Sequence, residues 1–255
     1  MIIISNHNIQ KMNLVYSCCF YQEKYIELVK LLLKTYKKYG KPDQNTKYLI
    51  ITNIEFKDKI QQIFVDFNIR GNVWCIDLNT LFEAAYARLK LFEYPNINQY
   101  EKILYLDCDI LVTNNLSNIV DVSVENKLYV LKDGNTNDKH HGLGIFRENE
   151  NPNSEAFTSG IMYFNNCKEI RKLFSDIMKD IELYIDAGNP IPCCCEQPFI
   201  IRQAFLQNMF NNTLLIGKVI NNPTVFQNET ISHFPGGVGH YSSKIEKMTD
   251  FLTNF

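Results

Sequence analysis

Short apolar runs alternate with longer amphipathic segments through the first part of the chain. Runs of apolar and β-branched residues predict strands, and apolar residues at helical spacing, such as Ile26, Val29 and Leu33, predict helices. Because strand–helix alternation implies right-handed crossovers, we predict an α/β fold with a mostly parallel central sheet. The expected elements are strands at 12–20, 47–52 and 72–77 and helices at 21–40, 56–67 and 79–94.

A fourth strand, expected at 102–112, is interrupted by two carboxylates. Asp107 and Asp109 follow its buried apolar start, with Cys108 between them. Since side chains of a strand alternate, both carboxylates would point to one face and Cys108 to the other. Two like charges there repel each other, and a bound Mg²⁺ or Mn²⁺ would remove that cost. Ligands of open α/β sheets bind at this end of the strands; the alternative is a simple turn.

The second half of the chain contains a long polar segment between two strands. Residues 133–156 are predicted to form a long mobile loop in which His140 and His141 are solvated. Gly160, inside the strand that follows, indicates the close approach of another backbone or of a ligand. The other expected elements are strands at 127–132 and 157–164, helices at 167–184 and 196–207, and a C-terminal helix from 242.

The composition is that of an ordinary globular protein and narrows the range of partners. The chain has 255 residues, is 45% hydrophobic and carries a formal net charge of −2, which suits one domain with a substantial core. Nucleic acid is not expected as a partner, because no basic stripe is present. No glycine-rich dinucleotide fingerprint or P-loop occurs. Without a stretch of ~20 apolar residues or a signal-peptide core, we expect a cytoplasmic protein with no transmembrane segment.

The eight cysteines lie in apolar segments or side by side rather than in a spaced framework. No CxxC pair occurs, so reduced thiols in a reducing compartment are expected. Cys193, Cys194 and Cys195 stand in a row. Because neighbouring side chains alternate in direction and no Cys/His pair has zinc spacing, a soft-metal site there is only a minor alternative.

A further group of candidate residues lies near the C-terminus, in the sequence HFPGGVG. His233 could donate a nitrogen ligand to a metal. The glycines at 236, 237 and 239 could turn backbone N–H groups toward phosphate oxygens. The alternative is a structural histidine ahead of a glycine turn.

Taken in order, these motifs resemble the family 8 glycosyltransferases, the group that includes glycogenin and lipopolysaccharide galactosyltransferases. The resemblance spans nearly all of residues 12–245. The matching elements are a tyrosine-containing first helix, Arg88 in YARLKLFEY, the strand YLDCDILV, FTSGIMYF, the acid–glutamine pair Glu196-Gln197 and the turn HFPGGVG.

The resemblance implies a single type-A glycosyltransferase domain, Rossmann-like, over residues 1–255. Within it, a nucleotide-binding half would span 12–120, an acceptor- and sugar-binding half 121–245, and a C-terminal helix 242–255. The implied reaction is retaining transfer of a hexosyl group, with glucose favoured, from a UDP-sugar to a protein or glycan acceptor. It would depend on Mn²⁺, with Mg²⁺ as the alternative. A homodimer is expected by analogy.

The resemblance also implies roles for individual residues. Asp107, Asp109 and His233 would hold the metal. Arg88, Glu196 and Gln197 would be catalytic, and Arg88 would also face the donor. The other donor contacts would be Cys19, Phe20, Tyr21, Tyr25, Cys108, Thr158, Ser159, Gly236 and Gly239.

Three departures from the family pattern bear on activity. The family often has asparagine where Thr158 stands and aspartate where Glu196 stands. Its glycine turn commonly ends with a lysine that binds the diphosphate, and this chain has Gly239 there. Either His240 or Lys244 substitutes for that lysine, or the pyrophosphate is held more weakly.

Two other functions remain open. A non-catalytic UDP-sugar-binding protein on the same fold is supported by the missing lysine and opposed by the retained aspartates. A phosphatase of the haloacid dehalogenase type also has an Asp-x-Asp motif after a buried strand. It is disfavoured because that motif normally lies on the first strand and the late acidic pair is missing.

Overall fold

The strands and helices follow the predicted alternation through the first three strand–helix units. The computed structural model describes residues 12–147, 149–236 and 241–255. The strands are β1 Met12–Cys19, β2 Thr46–Thr52, β3 Gly71–Cys75, β4 Tyr100–Leu106, β5 Ile110–Val112, β6 Leu128–Asn135, β7 Glu155–Asn165, β8 Phe210–Asn211, β9 Val219–Asn221 and β10 Ile231–His233. The helices are α1 Lys24–Tyr39, α2 Ile54–Asp66, α3 Leu81–Tyr86, α4 Ser117–Val120, α5 Lys168–Asp186, α6 Gln197–Leu206 and α7 Tyr241–Thr253.

Seven strands form one sheet in the order β3-β2-β1-β4-β7-β6-β8. The strands from β3 to β4 run parallel, whereas β7 runs antiparallel to both β4 and β6. The prediction of a mostly parallel central sheet is therefore confirmed. A smaller sheet has the order β5-β10-β9. Both sheets meet where β4 ends and β5 begins.

Apolar residues on both faces of the large sheet explain its central position. Along β1, Val15 packs into one buried cluster, while Leu14 and Tyr16 on either side pack into another. Helices α1, α2 and α7 cover the first face, and α5 and α6 cover the second. Strands buried on both faces read as continuous apolar runs, which is why the sequence revealed them.

The single strand expected at 102–112 is wrong. The chain leaves the large sheet after Leu106, turns through residues 107–109 and enters the small sheet at Ile110. Backbone hydrogen bonds explain the turn. The Asp107 N–H donates to the Gly160 carbonyl of β7, and the Phe234 N–H, just after β10, donates to the Asp109 carbonyl, both over 2.9 Å. Each aspartate is thus tied to a different sheet.

Two other expectations need correction. The helix expected at 79–94 ends at Tyr86 and continues as a 3-10 helix, Ala87–Glu93, in which the Arg88 carbonyl accepts the Tyr16 hydroxyl. The loop between β6 and β7 is shorter than expected, because both strands extend into it. Within it, His141 is buried rather than solvated, since it packs over Gly134 between two aspartates.

The cysteines and the lengths of the apolar helices agree with the sequence analysis. All eight cysteines are free thiols, as expected. Within the part of the chain that the structure describes, no helix is both long and apolar enough to cross a bilayer.

Candidate active site

The turn between the two sheets brings three potential metal ligands together. One side-chain atom each of Asp107, Asp109 and His233 lies within 4.8 Å of the others. The convergence that the sequence predicted is present, but a turn produces it rather than the alternation of a continuous strand. Oxygen and imidazole ligands of this kind suit Mn²⁺ or Mg²⁺ better than a soft metal.

Neighbouring residues orient the candidate ligands of this cluster. The His233 Nδ1 atom lies 2.8 Å from Asn221 Oδ1, so the other ring nitrogen, Nε2, faces Asp109 at 3.5 Å. A metal-ligating histidine usually donates its second nitrogen to such a partner. Asp109 Oδ1 is buried and, among the described residues, has no hydrogen-bond partner. Burying a carboxylate oxygen without a hydrogen-bond donor costs free energy, and a bound cation would offset that cost. This oxygen is therefore suited to ligate a cation.

Gly160 provides the space in which this cluster forms. A Cβ atom at this position would lie 2.8 Å from His233 Cε1, 2.9 Å from its Nε2 and 3.0 Å from Asp107 Oδ2. Only glycine avoids these contacts. Gly160 was expected to mark the close approach of another backbone or of a ligand; the groups that approach it are instead the side chains of His233 and Asp107.

Arg88 links the aspartate turn to the start of α6. Its guanidinium contacts Asp107 Oδ1 at 3.0 Å and Glu196 Oε1 at 3.1 Å, and it donates to the Ser159 carbonyl at 2.9 Å. It also stacks on the Tyr105 ring, whose hydroxyl donates to Asp107. Burial lowers the pKa of Arg88, but the two carboxylates outweigh that effect and hold its pKa well above the usual value.

Glu196 is almost fully buried, with 3% of its surface exposed. Burial raises its pKa to about 7; Arg88 lowers it and Asp107 raises it, both by smaller amounts. The carboxyl group therefore changes charge near neutral pH, within contact of the Arg88 guanidinium.

This pKa predicts a pH-dependent stability for the metal-free protein. Between pH 4.5 and about 7 the folded state retains a proton that the unfolded chain has released, so the free energy of unfolding should fall as the pH rises. The expected fall is on the order of 1–3 kcal/mol. Glu196→Gln should remove it, because the amide does not titrate. Urea unfolding of both proteins across this range, with a chelator present, measures the effect. Parallel curves for the two proteins would contradict it.

Gln197 forms hydrogen bonds with both strand β7 and the loop between β6 and β7. Its Oε1 atom accepts the Ser159 backbone N–H at 2.9 Å and its hydroxyl at 3.3 Å, while its Nε2 donates to the His140 carbonyl at 2.9 Å. Thr158 Oγ1 accepts the Gly160 N–H at 3.1 Å. Three hydrogen bonds, two with Ser159 and one with His140, thus fix the orientation of the Gln197 amide.

Lys244 enters the site from α7. Its Nζ donates to Asp109 Oδ2 at 2.5 Å in a buried pair. Burial would raise the pKa of Asp109, but His233 and Lys244 outweigh it and keep that pKa below its usual range. A Cβ atom at Gly236, the described glycine of the turn, would lie 3.3 Å from Lys244 Cε, so Lys244 lies beside the start of that turn.

Apart from Asn221, the side chains described above line one cavity of about 580 Å³. Its described lining contains most of the predicted donor-binding residues: Phe20, Tyr21, Tyr25, Arg88, Cys108, Thr158, Ser159 and Gly236. The expectation for Cys19 is corrected, because its side chain lies in the hydrophobic core and Cys18, the next position along the alternating strand, lines the cavity instead. Gly239 lies outside the described residues.

The cavity has a negative charge balance. The described residues that line it include four carboxylates and two cationic side chains, namely Asp107, Asp109, Asp133 and Glu196 against Arg88 and Lys244. An anionic ligand would be repelled by this balance unless a cation accompanied it. The electrostatics thus favour a site that binds a cation and an anion together.

Several residues of the site escaped the sequence analysis. Asn221 orients His233, and Tyr105 donates to Asp107, but neither forms a motif. Tyr105 alone had a local signal, since it lies near the end of β4 and precedes Asp107 by two positions. Asn221 lies on a different strand and is recognisable only from the fold.

The comparison with protein families shows which family contains this chain. A model described as glycosyl transferase family 8 matches residues 79–239, which include all three candidate metal ligands and Arg88, Glu196 and Gln197. This chain belongs to glycosyltransferase family 8. The phosphatase alternative is thereby excluded. No curated protein matches the sequence of this glycosyltransferase.

Solved structures agree on the fold of this family 8 glycosyltransferase. The galactosyltransferase LgtC, in complex with donor and acceptor sugar analogues, is 17% identical with a TM-score of 0.61, covering 94% of this chain and 96% of LgtC. An active-site mutant of LgtC, in which a glutamine is replaced by glutamate, is 17% identical with a TM-score of 0.62. That comparison covers 95% of this chain and 95% of the mutant. The apo bifunctional glycosyltransferase WbbM gives 14% identity and a TM-score of 0.64 over 95% of this chain. The chain spans about half, 50%, of WbbM. These likenesses show the type-A glycosyltransferase fold.

Proposed function

We propose that this glycosyltransferase moves a hexosyl group, with glucose as the first candidate, from a UDP-sugar to a protein or glycan acceptor. We further propose that the transfer is retaining and depends on Mn²⁺. The observation that carries the proposal is the convergence of Asp107, Asp109 and His233 on one wall of a cavity that also contains Arg88 and Glu196. Family membership supplies the reaction class.

The metal requirement is supported by charge and by an unsatisfied atom. Asp107, Asp109 and His233 would hold the cation. The excess of carboxylates in the cavity favours a divalent ion. Among the residues that the structure describes, the buried Oδ1 of Asp109 has no hydrogen-bond donor, as expected of a metal ligand before its ion is bound. When bound, the cation would neutralise the diphosphate and stabilise the departing UDP.

The chain's own residues would supply the rest of the chemistry. The transition state of sugar transfer resembles an oxocarbenium ion, which nearby carboxylate charge stabilises. Glu196 is a candidate for that stabilisation, and Arg88 would hold its carboxylate in position over 3.1 Å. Gln197, fixed by Ser159 and by the His140 carbonyl, would present its amide to the sugar or the acceptor. Phe20, Tyr21 and Tyr25 would enclose the uracil and ribose.

Lys244 is proposed to replace the lysine that the family's glycine turn usually provides. Lys244→Ala should raise the KM for the UDP-sugar about tenfold, because a charge-assisted contact to the diphosphate is lost. The affinity for Mn²⁺ should stay the same or improve, since Lys244 no longer occupies Asp109. Lys247→Ala, an exposed lysine of the same helix, is the matched control. Steady-state kinetics with an Mn²⁺ titration measure both; unchanged donor KM in Lys244→Ala would refute this role.

A panel of UDP-sugars tests the whole proposal. Release of UDP is measured for each donor with Mn²⁺, with Mg²⁺ and with a chelator. We expect one donor to dominate, and chelation to abolish its turnover.

The second candidate, a non-catalytic UDP-sugar-binding protein, is favoured by the absent lysine at Gly239. UDP binding without release from any donor, in the presence of protein and glycan acceptors, would favour that candidate.

A further inference from the structure

A histidine and two cysteines from distant parts of the chain meet at the rim of the cavity, away from the carboxylate cluster. His140 Nδ1 lies 3.2 Å from Cys194 Sγ and 3.6 Å from Cys193 Sγ. The three potential ligand atoms all lie within 4.8 Å of one another. In a tetrahedral zinc site, nitrogen and sulfur ligands are about 3.5 Å apart, given ordinary Zn–N and Zn–S bonds. The two observed nitrogen–sulfur separations, 3.2 and 3.6 Å, are close to this edge length.

Local backbone structure explains how the two cysteines converge. The sequence argument assumed an extended segment, in which neighbours point in opposite directions. Residues 193–196 instead form a turn, and Cys195 has a left-handed φ of 48°. Cys195 packs against the buried cluster beneath α6, whereas Cys193 and Cys194 face His140. All three thiols line the cavity, but among the described contacts only Cys193 and Cys194 meet His140.

We propose that His140, Cys193 and Cys194 form a binding site for a soft divalent cation, with Zn²⁺ as the expected occupant. Two thiolates and an imidazole are ligands that zinc prefers, and a three-ligand set leaves a fourth position open to water. His140 and Cys193 are exposed and Cys194 is half-buried, so a cation can reach all three. The site differs in chemistry from the carboxylate cluster, whose oxygen ligands suit a harder ion.

The position of this site couples it to the cavity. His140 lies on the loop between β6 and β7, and Cys193 and Cys194 lie just before α6. A cation there would tie these two segments together. The His140 carbonyl also accepts the Gln197 amide at 2.9 Å. A cation bound at this site would therefore restrain the loop between β6 and β7, and with it the His140 carbonyl that Gln197 contacts.

Thiolate coordination has a spectroscopic signature that tests the proposal. The full chain, reduced and freed of metal, is titrated with Co²⁺, and Zn²⁺ is then added as a competitor. Thiolate-bound Co²⁺ has a near-ultraviolet charge-transfer band, which the carboxylates and imidazole of the other cluster cannot produce. We expect about one equivalent of Co²⁺ to produce the band and Zn²⁺ to abolish it. Cys193→Ser, Cys194→Ser and His140→Ala should each weaken binding about tenfold or more.

Two controls keep the outcome interpretable. Cys195→Ser removes the adjacent thiol that does not face His140, and should bind Co²⁺ like the unmodified protein. Alkylation of the unmodified protein needs no variant: Zn²⁺ should slow modification of Cys193 and Cys194 but not of Cys75 on β3. Absence of the band, or a band unchanged in both Cys193→Ser and Cys194→Ser, would overturn the proposal. So would equal alkylation of all three thiols with and without Zn²⁺. None of these readouts depends on sugar transfer.

Discussion

Asp109→Asn is expected to lower metal-dependent turnover about a hundredfold or more while leaving the protein folded. The substitution keeps the shape of the side chain and removes the charge that a cation needs. The fold should persist because the asparagine carbonyl can accept Lys244, while its amide can face His233 Nε2, which lies 3.5 Å from Asp109 Oδ1. Circular dichroism and urea unfolding check the fold, and UDP release with increasing Mn²⁺ measures the loss.

The same change should be visible without turnover. Electron paramagnetic resonance counts free Mn²⁺, and the variant should leave most of it unbound at concentrations that load the unmodified protein. Asp58→Asn, an exposed aspartate of α2, is the control and should behave as the unmodified protein. If Asp109→Asn proved fully active with normal Mn²⁺ affinity, the assignment of this carboxylate to the metal would be refuted.

Gly160→Ala should disable the same site without altering any ligand. The new Cβ would lie 2.8–3.0 Å from the His233 ring and the Asp107 carboxylate. His233 cannot easily move away, because it is 2% exposed and held by Asn221. We expect Mn²⁺ affinity to fall about tenfold or more. Overpacking should cost about 1–3 kcal/mol of stability. Mn²⁺ titration and urea unfolding measure the two effects separately.

The control for Gly160→Ala must be destabilised without crowding the site. Gly188→Ala meets this need, since its φ of 77° is left-handed but a Cβ there would meet nothing within 4 Å. It should cost about 1–2 kcal/mol through backbone strain and leave Mn²⁺ binding unchanged. Equal Mn²⁺ affinity in the two glycine variants would show that Gly160 has no special role in the site.

Local patterns predicted the fold and most of the cavity lining, because both depend on short-range features. Apolar runs located the strands of the large sheet, and the ordered motifs identified the family. The aspartate pair converges as predicted, yet for a different reason. Whether a chain continues as a strand or crosses to another sheet depends on distant hydrogen-bond partners, here Gly160 and Phe234, that no local pattern contains.

The residues that sequence reasoning missed share a long-range origin. Asn221 was not singled out, and the contacts of Lys244 with Asp109 and of His140 with Cys194 were not foreseen. Each of these residues contacts a group more than ten positions away, so spacing rules could not pair them. The choice of Cys19 over Cys18 failed for a simpler reason. Alternation along a strand says that neighbours face opposite sides, but only the packed structure says which side is the cavity.

The turn at residues 107–109 has a consequence for folding as well as for catalysis. Asp107 is hydrogen-bonded through its backbone to the large sheet, and Asp109 to the chain at the end of the small one. An ion shared by these carboxylates would act as a cross-link between two separately hydrogen-bonded sheets. Ligand linkage would then add about 2.7 kcal/mol to the unfolding free energy at a hundred times the dissociation constant. The concentration of free metal would thus determine the stability of the folded protein as well as its rate of turnover.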